Sequence, residues 1–162
     1  MRLEAPARDD VARVAARMRD RDAEEFLAVA RVDTRAELVS ALIDRYGAAQ
    51  DAFCAYKGDT PIAVGAMVEH RPRVATLAFF ATDEISQIGL ALTHFIRNRL
   101  FPLYRSNGVH RIECASIDGY AEVHRWIELL GLKKEAVMAK YGKDGQTFIQ
   151  FAWVADESAT GA

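Results

Sequence analysis

The feature that most constrains the fold is a run of three short apolar segments in the middle of the chain, AFCAYK, IAVGAMVEH and VATLAFFAT. Each is rich in aromatic and β-branched residues, which favours strands over helices. Gly58 and Asp59 separate the first two segments and Pro72 separates the last two, and these are typical turn residues. Because both connections are short enough for hairpins, we predict three consecutive antiparallel strands.

Helical periodicity precedes this meander. A short strand at MRLEA is followed by apolar residues at helical spacing from Ala7, through DAEEFLAVARV, to RAELVSALIDRYG, which Gly47 ends. The arginines of this region alternate with acidic residues, so we interpret most of them as partners in surface ion pairs along the helices. These arginines are Arg8, Arg13, Arg17, Arg19 and Arg21.

A further helical pattern follows the meander. Thr82 is a candidate N-cap, and Asp83 and Glu84 suit the first turn of a helix, where acidic residues are favoured. The spacing of the apolar residues then predicts a long amphipathic helix. We expect this helix to end near Pro102.

The remainder of the chain predicts a strand, a helix and a closing hairpin. HRIECAS has the composition of a strand, Asp118 suits the N-cap of the helix, and Gly131 suits its end. Apolar segments on either side of KDGQ indicate two antiparallel strands joined by a turn.

The order of these elements is strand, helices, three strands, helix, strand, helix and two strands. It predicts an α/β (α+β) fold with a mixed, mostly antiparallel sheet of about seven strands flanked by helices. A chain of 162 residues fits one domain. We place that domain at residues 1–154 and expect a flexible polar tail at residues 155–162. A homo-oligomer is compatible with this organisation.

The charge balance excludes a general nucleic-acid binder from the main hypotheses. The chain has 21 basic and 23 acidic residues and a net charge of −2, whereas nucleic-acid binding usually needs an excess of cations. The N-terminus is polar from Arg2, and no apolar stretch reaches the roughly 18 residues that span a membrane. We therefore expect neither a signal peptide nor a membrane anchor.

The two cysteines and the helical histidines do not suggest a metal site. Cys54 and Cys114 each lie inside an apolar run, without the paired spacing of metal or redox motifs, and we interpret them as core residues. His94 and His124 lie on helices without ligands at paired spacing. A reduced setting follows, in the cytoplasm or inside a virus particle assembled there.

The element order, with a glycine in the first turn of the helix after the fourth strand, resembles the GNAT superfamily of N-acyltransferases. The resemblance covers nearly the whole chain. It implies the GNAT fold and transfer of an acetyl group from acetyl-CoA to an amine. In that family a loop of pattern Arg/Gln-x-x-Gly-x-Gly/Ala holds the cofactor pyrophosphate on backbone N–H groups. The segment SQIGLA, residues 86–91, corresponds to this loop.

The resemblance implies a set of cofactor-binding residues. Phe80 and Ala81 would offer backbone groups to the acetyl carbonyl, and the loop would be formed by Ser86, Gln87, Gly89, Leu90 and Ala91.

The loop also departs from the family pattern. Ser86 stands where the family has Arg or Gln, and Gln87 beside it is a partial substitute. Asp83 and Glu84 would repel a phosphate if they lie close to it. SQIGLA therefore has two interpretations, a phosphate-binding loop or an ordinary first turn with a glycine tolerated for packing.

The catalytic acid of the family is a tyrosine four residues before a glycine in the helix after the fifth strand. In EVHRWIELLGL that position is Ile127, which cannot donate a proton. Tyr120, two turns earlier, is a candidate acid if the register is shifted, and Tyr104 and Tyr141 are other possible donors.

Glu69 and His70, at the end of the third strand, are candidate general bases, and an exposed strand-end pair is the alternative. Glu113 alternates with Ile112 and Cys114, so it should point away from their face. We expect Glu113 to be solvated or paired in a salt bridge.

Three segments, RDRDAEEF, FFATDEIS and WIELLGL, also resemble the GNAT-like internal virion proteins of short-tailed bacteriophages. Two functional hypotheses follow. The first is an N-acetyltransferase acting on a small-molecule amine or a protein amino group. The second is a catalytically inactive phage virion or assembly protein that acts through contacts with other virion proteins.

Overall fold

The architecture is a seven-stranded sheet with helices on both faces, given by a computed structural model that describes residues 1–157. Residues 158–162, most of the predicted tail, lie outside this range. The strands are β1 (Arg2–Glu4), β2 (Ala52–Lys57), β3 (Thr60–Arg71), β4 (Val74–Ala81), β5 (Arg111–Ile117), β6 (Lys133–Met138) and β7 (Phe148–Val154). The helices are α1 (Arg8–Ala16), α2 (Asp20–Val29), α3 (Arg35–Tyr46), α4 (Gly89–Phe95), α5 (Phe101–Ser106) and α6 (Ala121–Leu129).

The strand order is β1-β2-β3-β4-β5-β7-β6, and within the described part of the chain only β4 and β5 are parallel neighbours. This confirms the predicted mixed, mostly antiparallel sheet and its central meander. Lys57 pairs with Thr60 across the first turn, where Gly58 has a φ of 58° that favours glycine. Arg71 pairs with Val74 across the second turn.

Two apolar layers enclose the sheet. Helices α1 to α3 cover one face, where Val11, Leu38, Leu42 and Phe80 are buried. The segment from α4 to α5 and helix α6 cover the other face, where the buried residues include Leu92, Ile96, Phe101 and Ile127. The predicted core cysteines are confirmed, because Cys54 and Cys114 are both buried and reduced. Within residues 1–157 no helix has both the length and the apolarity to cross a membrane.

The predicted end of the long helix at Pro102 is wrong, because the helical run continues to Ser106. A π-helical stretch at Ile96–Leu100 connects α4 to α5, and the N–H of Phe101 bonds to the carbonyl of Ile96. A proline ring normally clashes with the carbonyl four residues earlier. The wider π turn relieves that clash, so Pro102 fits the start of α5.

Two predicted N-caps are also wrong. The Thr82 side chain caps nothing, because a 3₁₀ turn at Asp83–Gln87 intervenes and α4 begins only at Gly89. Asp118 is exposed and does not cap α6, which begins after Tyr120. The backbone N–H of Asp118 instead bonds to the carbonyl of Thr147. The end of α6 at Gly131 is as predicted, with a φ of 100°.

The closing hairpin of β6 and β7 is confirmed, but its connection is longer than a KDGQ turn and spans residues 139–147. Lys143 anchors this loop to the link between α2 and α3, since its ammonium group contacts the Ala30 carbonyl at 3.1 Å and the Asp33 carboxylate at 2.9 Å. Because these partners lie more than 100 residues before Lys143, the local sequence could not predict the longer loop.

Two glycines make a matched test of this packing. A Cβ at Gly65 would lie 2.4 Å from the Phe53 ring, so Gly65→Ala should lower the free energy of unfolding by about 1–3 kcal/mol. A Cβ at Gly89 would meet nothing within 4 Å, so Gly89→Ala should leave stability unchanged or raise it by less than about 1 kcal/mol. Urea unfolding of both variants measures the difference, and equal losses would contradict the described packing.

Candidate active site between strands β4 and β5

Strands β4 and β5 pair only at their beginnings. Residues 74–76 of β4 pair with residues 111–113 of β5, and beyond them the two strands separate while β5 stays paired with β7. The Thr82 N–H bonds to the Ile62 carbonyl on the β3 side. Because backbone groups alternate between the two sides of a strand, those of Ala81 and Phe79 face the gap toward β5.

Helix α2 closes one end of this gap. The Arg19 N–H donates to the Ala81 carbonyl at 2.9 Å, and the Ala81 N–H donates to the Asp22 carboxylate at 2.9 Å. One turn later, Glu25 Oε2 accepts from the Ile117 N–H at 2.9 Å and from Ser116 Oγ at 2.8 Å. One face of α2 therefore supplies the hydrogen-bond partners that the separated ends of β4 and β5 do not give each other.

Asp22 is fully engaged in the structure. It is only 5 % exposed and accepts two hydrogen bonds from the Arg19 guanidinium at 3.1 Å, one from the Ala81 N–H and one from the Tyr120 hydroxyl at 2.8 Å. A carboxylate has about four acceptor positions, and all are used. Asp22 is therefore a structural tie between α2, β4 and the start of α6.

Glu25 is engaged on one oxygen only. Both of its hydrogen bonds end on Oε2, and its side chain lines a cavity, which leaves Oε1 for a ligand. Burial raises the pKa of the Glu25 carboxyl from its ordinary value of 4.5 to about 7, while the bonds from Ile117 and Ser116 oppose that rise. Near neutral pH the group is present in both protonated and ionised forms.

His124 extends this hydrogen-bonded group. Its Nε2 lies 3.0 Å from the Ile117 carbonyl and 3.2 Å from Ser116 Oγ. A carbonyl can only accept a hydrogen bond, so the proton of the neutral ring is on Nε2. Burial lowers the pKa of His124, which favours this neutral form.

Two adjoining cavities lie here, an inner one at the gap and an outer one between α4 and α6. The inner cavity, of about 40 Å³, is lined by Asp22, Glu25, Leu77, Cys114 and Ile127 together with the four residues that it shares with the outer one. The outer cavity, of about 240 Å³, is mostly apolar and extends to the start of α4. The residues that line both cavities are Arg19, Phe79, Val123 and Trp126.

An aromatic pair lines both cavities. The rings of Phe79 and Trp126 lie 4.7 Å apart between their centroids. The Trp126 Nε1–H donates to Thr93 Oγ1 at 2.9 Å, which fixes the indole against α4. The two cavities therefore meet at a contact between side chains, which can change more readily than backbone.

The structure brings the predicted loop residues together at the mouth of the outer cavity. Ser86, Gly89 and Leu90 line that cavity, and Gln87 and Ala91 line a shallow depression beside it. The first backbone N–H groups of an α-helix have no partner within the helix, and within residues 1–157 no side chain caps those of α4.

Gly89 has no structural reason to be glycine. Its φ is outside the left-handed region, and no protein atom lies within 4 Å of the position that a Cβ would take. The interpretation of Gly89 as a packing glycine therefore loses its support. The open space in front of its backbone is what a bound group would use.

The charges around the loop are more balanced than the sequence suggested. Glu84 lies 3.7 Å from the Arg17 guanidinium, which offsets its charge. The Lys57 ammonium donates to the Gln87 side chain at 2.7 Å and so adds a cation beside the loop. Asp83 is exposed to solvent.

The predicted bases do not lie in this gap. Glu69 and His70 are exposed and follow Val68, which pairs with Thr76 near the start of β4. Five residues of strand separate Thr76 from Ala81, a distance of roughly 16 Å. Glu113 is tied to Arg71 and Arg111, as its predicted salt-bridge role requires.

The predicted cofactor-binding backbone groups and the predicted acid are already engaged. The Ala81 N–H bonds to Asp22, and the Phe80 backbone faces β3, where Phe80 pairs with Val64. The Tyr120 hydroxyl is buried and bonded to Asp22, and burial raises its pKa, so its proton is held there. Among these backbone groups, the N–H of Phe79 faces the gap with no bond to α2.

Asp22 and Glu25 are functional candidates that the sequence interpretation missed. The surface-pair interpretation holds for Arg8 with Asp44 and for Arg21 with Glu24, but it is wrong for Arg19, whose partner Asp22 is buried. A local signal existed, because residues 18, 22, 25 and 26 follow the spacing of an inward helix face. Acidic residues on such a face indicate buried partners.

Comparison with known proteins supports the fold. No protein-family model matches the chain, and no curated protein sequence matches it. A GNAT-family acetyltransferase from Bacillus anthracis superimposes with a TM-score of 0.70 at 14 % identity, over 95 % of each chain. The chain has the GNAT fold.

Two further structures share the GNAT fold at similar identity. The Salmonella typhimurium protein yncA, solved with its cofactor acetyl-CoA, gives a TM-score of 0.68 at 16 % identity over 99 % of this chain and 97 % of yncA. A mutant of the spermidine N-acetyltransferase SpeG from Vibrio cholerae gives 0.67 at 14 % identity over 95 % of each chain. The GNAT fold predicted from the sequence is thus confirmed, whereas these structures give no support to the resemblance to phage virion proteins.

The raised pKa of Glu25 predicts a pH dependence of stability. The folded protein binds this proton more tightly than the unfolded chain, so the stabilisation is complete below pH 4.5 and is lost as the pH rises through about 7. The total change is about 3 kcal/mol. Urea unfolding from pH 4.5 to 8 should show this decline in the wild type.

Glu25→Gln cannot titrate and is the matched control for this measurement. The difference in unfolding free energy between the two proteins removes the contributions of other groups, such as His124. A difference that does not change between pH 5 and 7.5 would show that Glu25 has an ordinary pKa.

Proposed function

We propose that the protein is an N-acetyltransferase that transfers an acetyl group from acetyl-CoA to an amine. The observation behind this proposal is the pair of adjoining cavities that runs from the start of α4, between α4 and α6, to the gap between β4 and β5 and the Glu25 carboxyl. The fold adds support, since one structural neighbour was solved with its cofactor acetyl-CoA and another is a spermidine N-acetyltransferase.

The residues present fit the cofactor. Backbone N–H groups of Gly89, Leu90 and Ala91 at the start of α4, with the Lys57 ammonium nearby, suit phosphate groups. The apolar outer cavity suits the uncharged arm of the cofactor, and Leu90, which is 89 % exposed, lies at its mouth. Acetyl-CoA would supply the activated acetyl thioester.

The backbone of β4 offers an N–H group that can stabilise negative charge on the acetyl carbonyl oxygen. The N–H of Phe79 faces the gap where the outer and inner cavities meet. A backbone N–H fixed by the sheet can stabilise negative charge on a carbonyl oxygen without reorganising. Phe79 therefore takes the role that the sequence resemblance gave to Phe80 and Ala81.

The same cleft favours a second candidate function through one observation. Phe79 and Trp126 line both cavities and contact each other. If this contact permanently closes the passage between the cavities, the acetyl group cannot reach Glu25, and the protein is a catalytically inactive member of the fold that acts through protein contacts, as the alternative hypothesis holds. Acetylation of an amine, rather than cofactor binding alone, separates the two functions.

Calorimetric titration with acetyl-CoA is the test of the proposed function. The wild type should bind, and saturation at about a hundred times the dissociation constant should add about 2.7 kcal/mol to its stability. Gly89→Glu, which places bulk and negative charge before the α4 N–H groups, should weaken binding at least about tenfold. No binding by the wild type at millimolar acetyl-CoA would favour the inactive alternative.

Ser106→Glu is the matched control for Gly89→Glu. It adds the same charge to the exposed end of the same helical run, about 25 Å away along the axis. Its affinity for acetyl-CoA should equal that of the wild type. Equal weakening in both variants would show that net charge, rather than the loop, determines the affinity.

Tryptophan fluorescence tests whether the cofactor reaches the aromatic pair. The chain has two tryptophans, and Trp126 lines both cavities while Trp153 packs beneath Arg105 at 4.1 Å. Acetyl-CoA should change the emission of the wild type and of Trp153→Phe, but not that of Trp126→Phe. A change that disappears only in Trp153→Phe would place the ligand elsewhere.

A further inference from the structure

Glu25 is the open carboxylate of the inner cavity. Asp22, the other carboxylate that lines it, has all its acceptor positions filled. Glu25 keeps Oε1 free of the two hydrogen bonds that hold Oε2. A proton added to Glu25 therefore binds to Oε1, because Oε2 already accepts hydrogen bonds from the Ile117 N–H and the Ser116 hydroxyl.

We infer that Glu25 is the general base of the acetyl transfer, and that Ser116 and His124 position it. The inference rests on the proposed function. Oε1 takes a proton from a primary ammonium group, R–NH₃⁺, which leaves a neutral amine and a carboxylic acid. The nitrogen lone pair then forms the C–N bond to the acetyl carbon while the C–S bond breaks, and the second amine proton goes to the departing thiolate.

Positioning follows from the direction of the hydrogen bonds. The His124 Nε2–H is donated toward the Ile117 carbonyl and Ser116 Oγ, so Ser116 accepts from the ring and donates its own proton to Glu25 Oε2. With the proton already on Nε2, His124 cannot take another at that atom. Ser116 and His124 therefore orient Glu25 and are not a proton relay.

The charges that face Glu25 suit a cationic amine. Asp22 on α2 and Arg19, the residue before α2, form an ion pair with each other. On β5, burial raises the pKa of the Cys114 thiol and keeps it neutral, and on α6 His124 is neutral. Ionised Glu25 is thus the uncompensated charge at the inner cavity, and it attracts an ammonium group.

The size of the inner cavity narrows the substrate class. A cavity of about 40 Å³ has room for roughly three water-sized groups. It therefore accepts the nitrogen of an unbranched primary amine beside the acetyl group, and it excludes a bulky secondary amine. A carboxyl pKa of about 7 is also the value at which a base works well at neutral pH.

The test compares Glu25→Gln with Glu24→Gln, an exposed neighbour paired with Arg21. With a primary alkylamine as acceptor, Glu25→Gln should lower kcat by roughly 10²–10⁴-fold and leave acetyl-CoA affinity within about twofold. Glu24→Gln should match the wild type in both. Circular dichroism establishes that the variants are folded.

Two further readouts distinguish a base from a structural residue. Carbon-detected NMR titration of the free protein should show one glutamate carboxyl with a pKa near 7, absent in Glu25→Gln. Ser116→Ala removes a bond that lowers this pKa, so the titration and the acidic limb of the kcat/KM profile should both move to higher pH.

The outcomes separate the inference from the proposed function. An active wild type whose pH profile and kcat survive in Glu25→Gln overturns the inference and leaves the acetyltransferase intact. A Glu25 carboxyl that titrates at its ordinary value in the free protein also overturns it. A wild type that binds no acetyl-CoA overturns the proposed function and the inference together.

Discussion

The structure depends on the hydrogen bonds that helix α2 makes to the backbones of β4 and β5 where these two strands do not pair with each other. Once β4 and β5 separate, their inner backbone groups need partners, since an unpaired buried N–H costs about 1–3 kcal/mol. Asp22 accepts from β4 and Glu25 accepts from β5, one helical turn apart. The gap between the strands can therefore stay open without leaving those ends of the backbone unsatisfied.

The two carboxylates differ because of their surroundings, although both lie on one helix face. Asp22 has a guanidinium, a hydroxyl and a backbone N–H around it, so its charge is neutralised in place. Glu25 has two neutral donors and no cation within hydrogen-bond distance, so burial dominates and raises its pKa. Asp22 therefore holds the structure together, whereas Glu25, one turn later on α2, can change its protonation state near neutral pH.

Local signals explain which parts of the fold could be predicted from the sequence. The meander, the turn at Gly58 and the end of α6 at Gly131 depend on residues close together in the chain, and those predictions are confirmed. Apart from Arg19, which precedes Asp22 by three residues, the partners of Asp22 and Glu25 lie 59 to 98 residues away, so a local pattern cannot identify them. The predicted helix end at Pro102 was wrong because the π-helical stretch that accommodates this proline lies in the turn before it.

The absence, at Ile127, of the tyrosine typical of GNAT enzymes is consistent with the proposed acetyl transfer. Ile127 lines the inner cavity at that position, so no side-chain acid lies there. A thiol has a pKa of about 8.5, so a thiolate is a stable leaving group near neutral pH and can take the second amine proton directly. An amine nitrogen, with a pKa of about 10.4 for a lysine-like group, instead needs a base before it can attack. In the proposed reaction the Glu25 carboxyl therefore acts on the amine, whose pKa lies farther from neutral pH than that of the thiol.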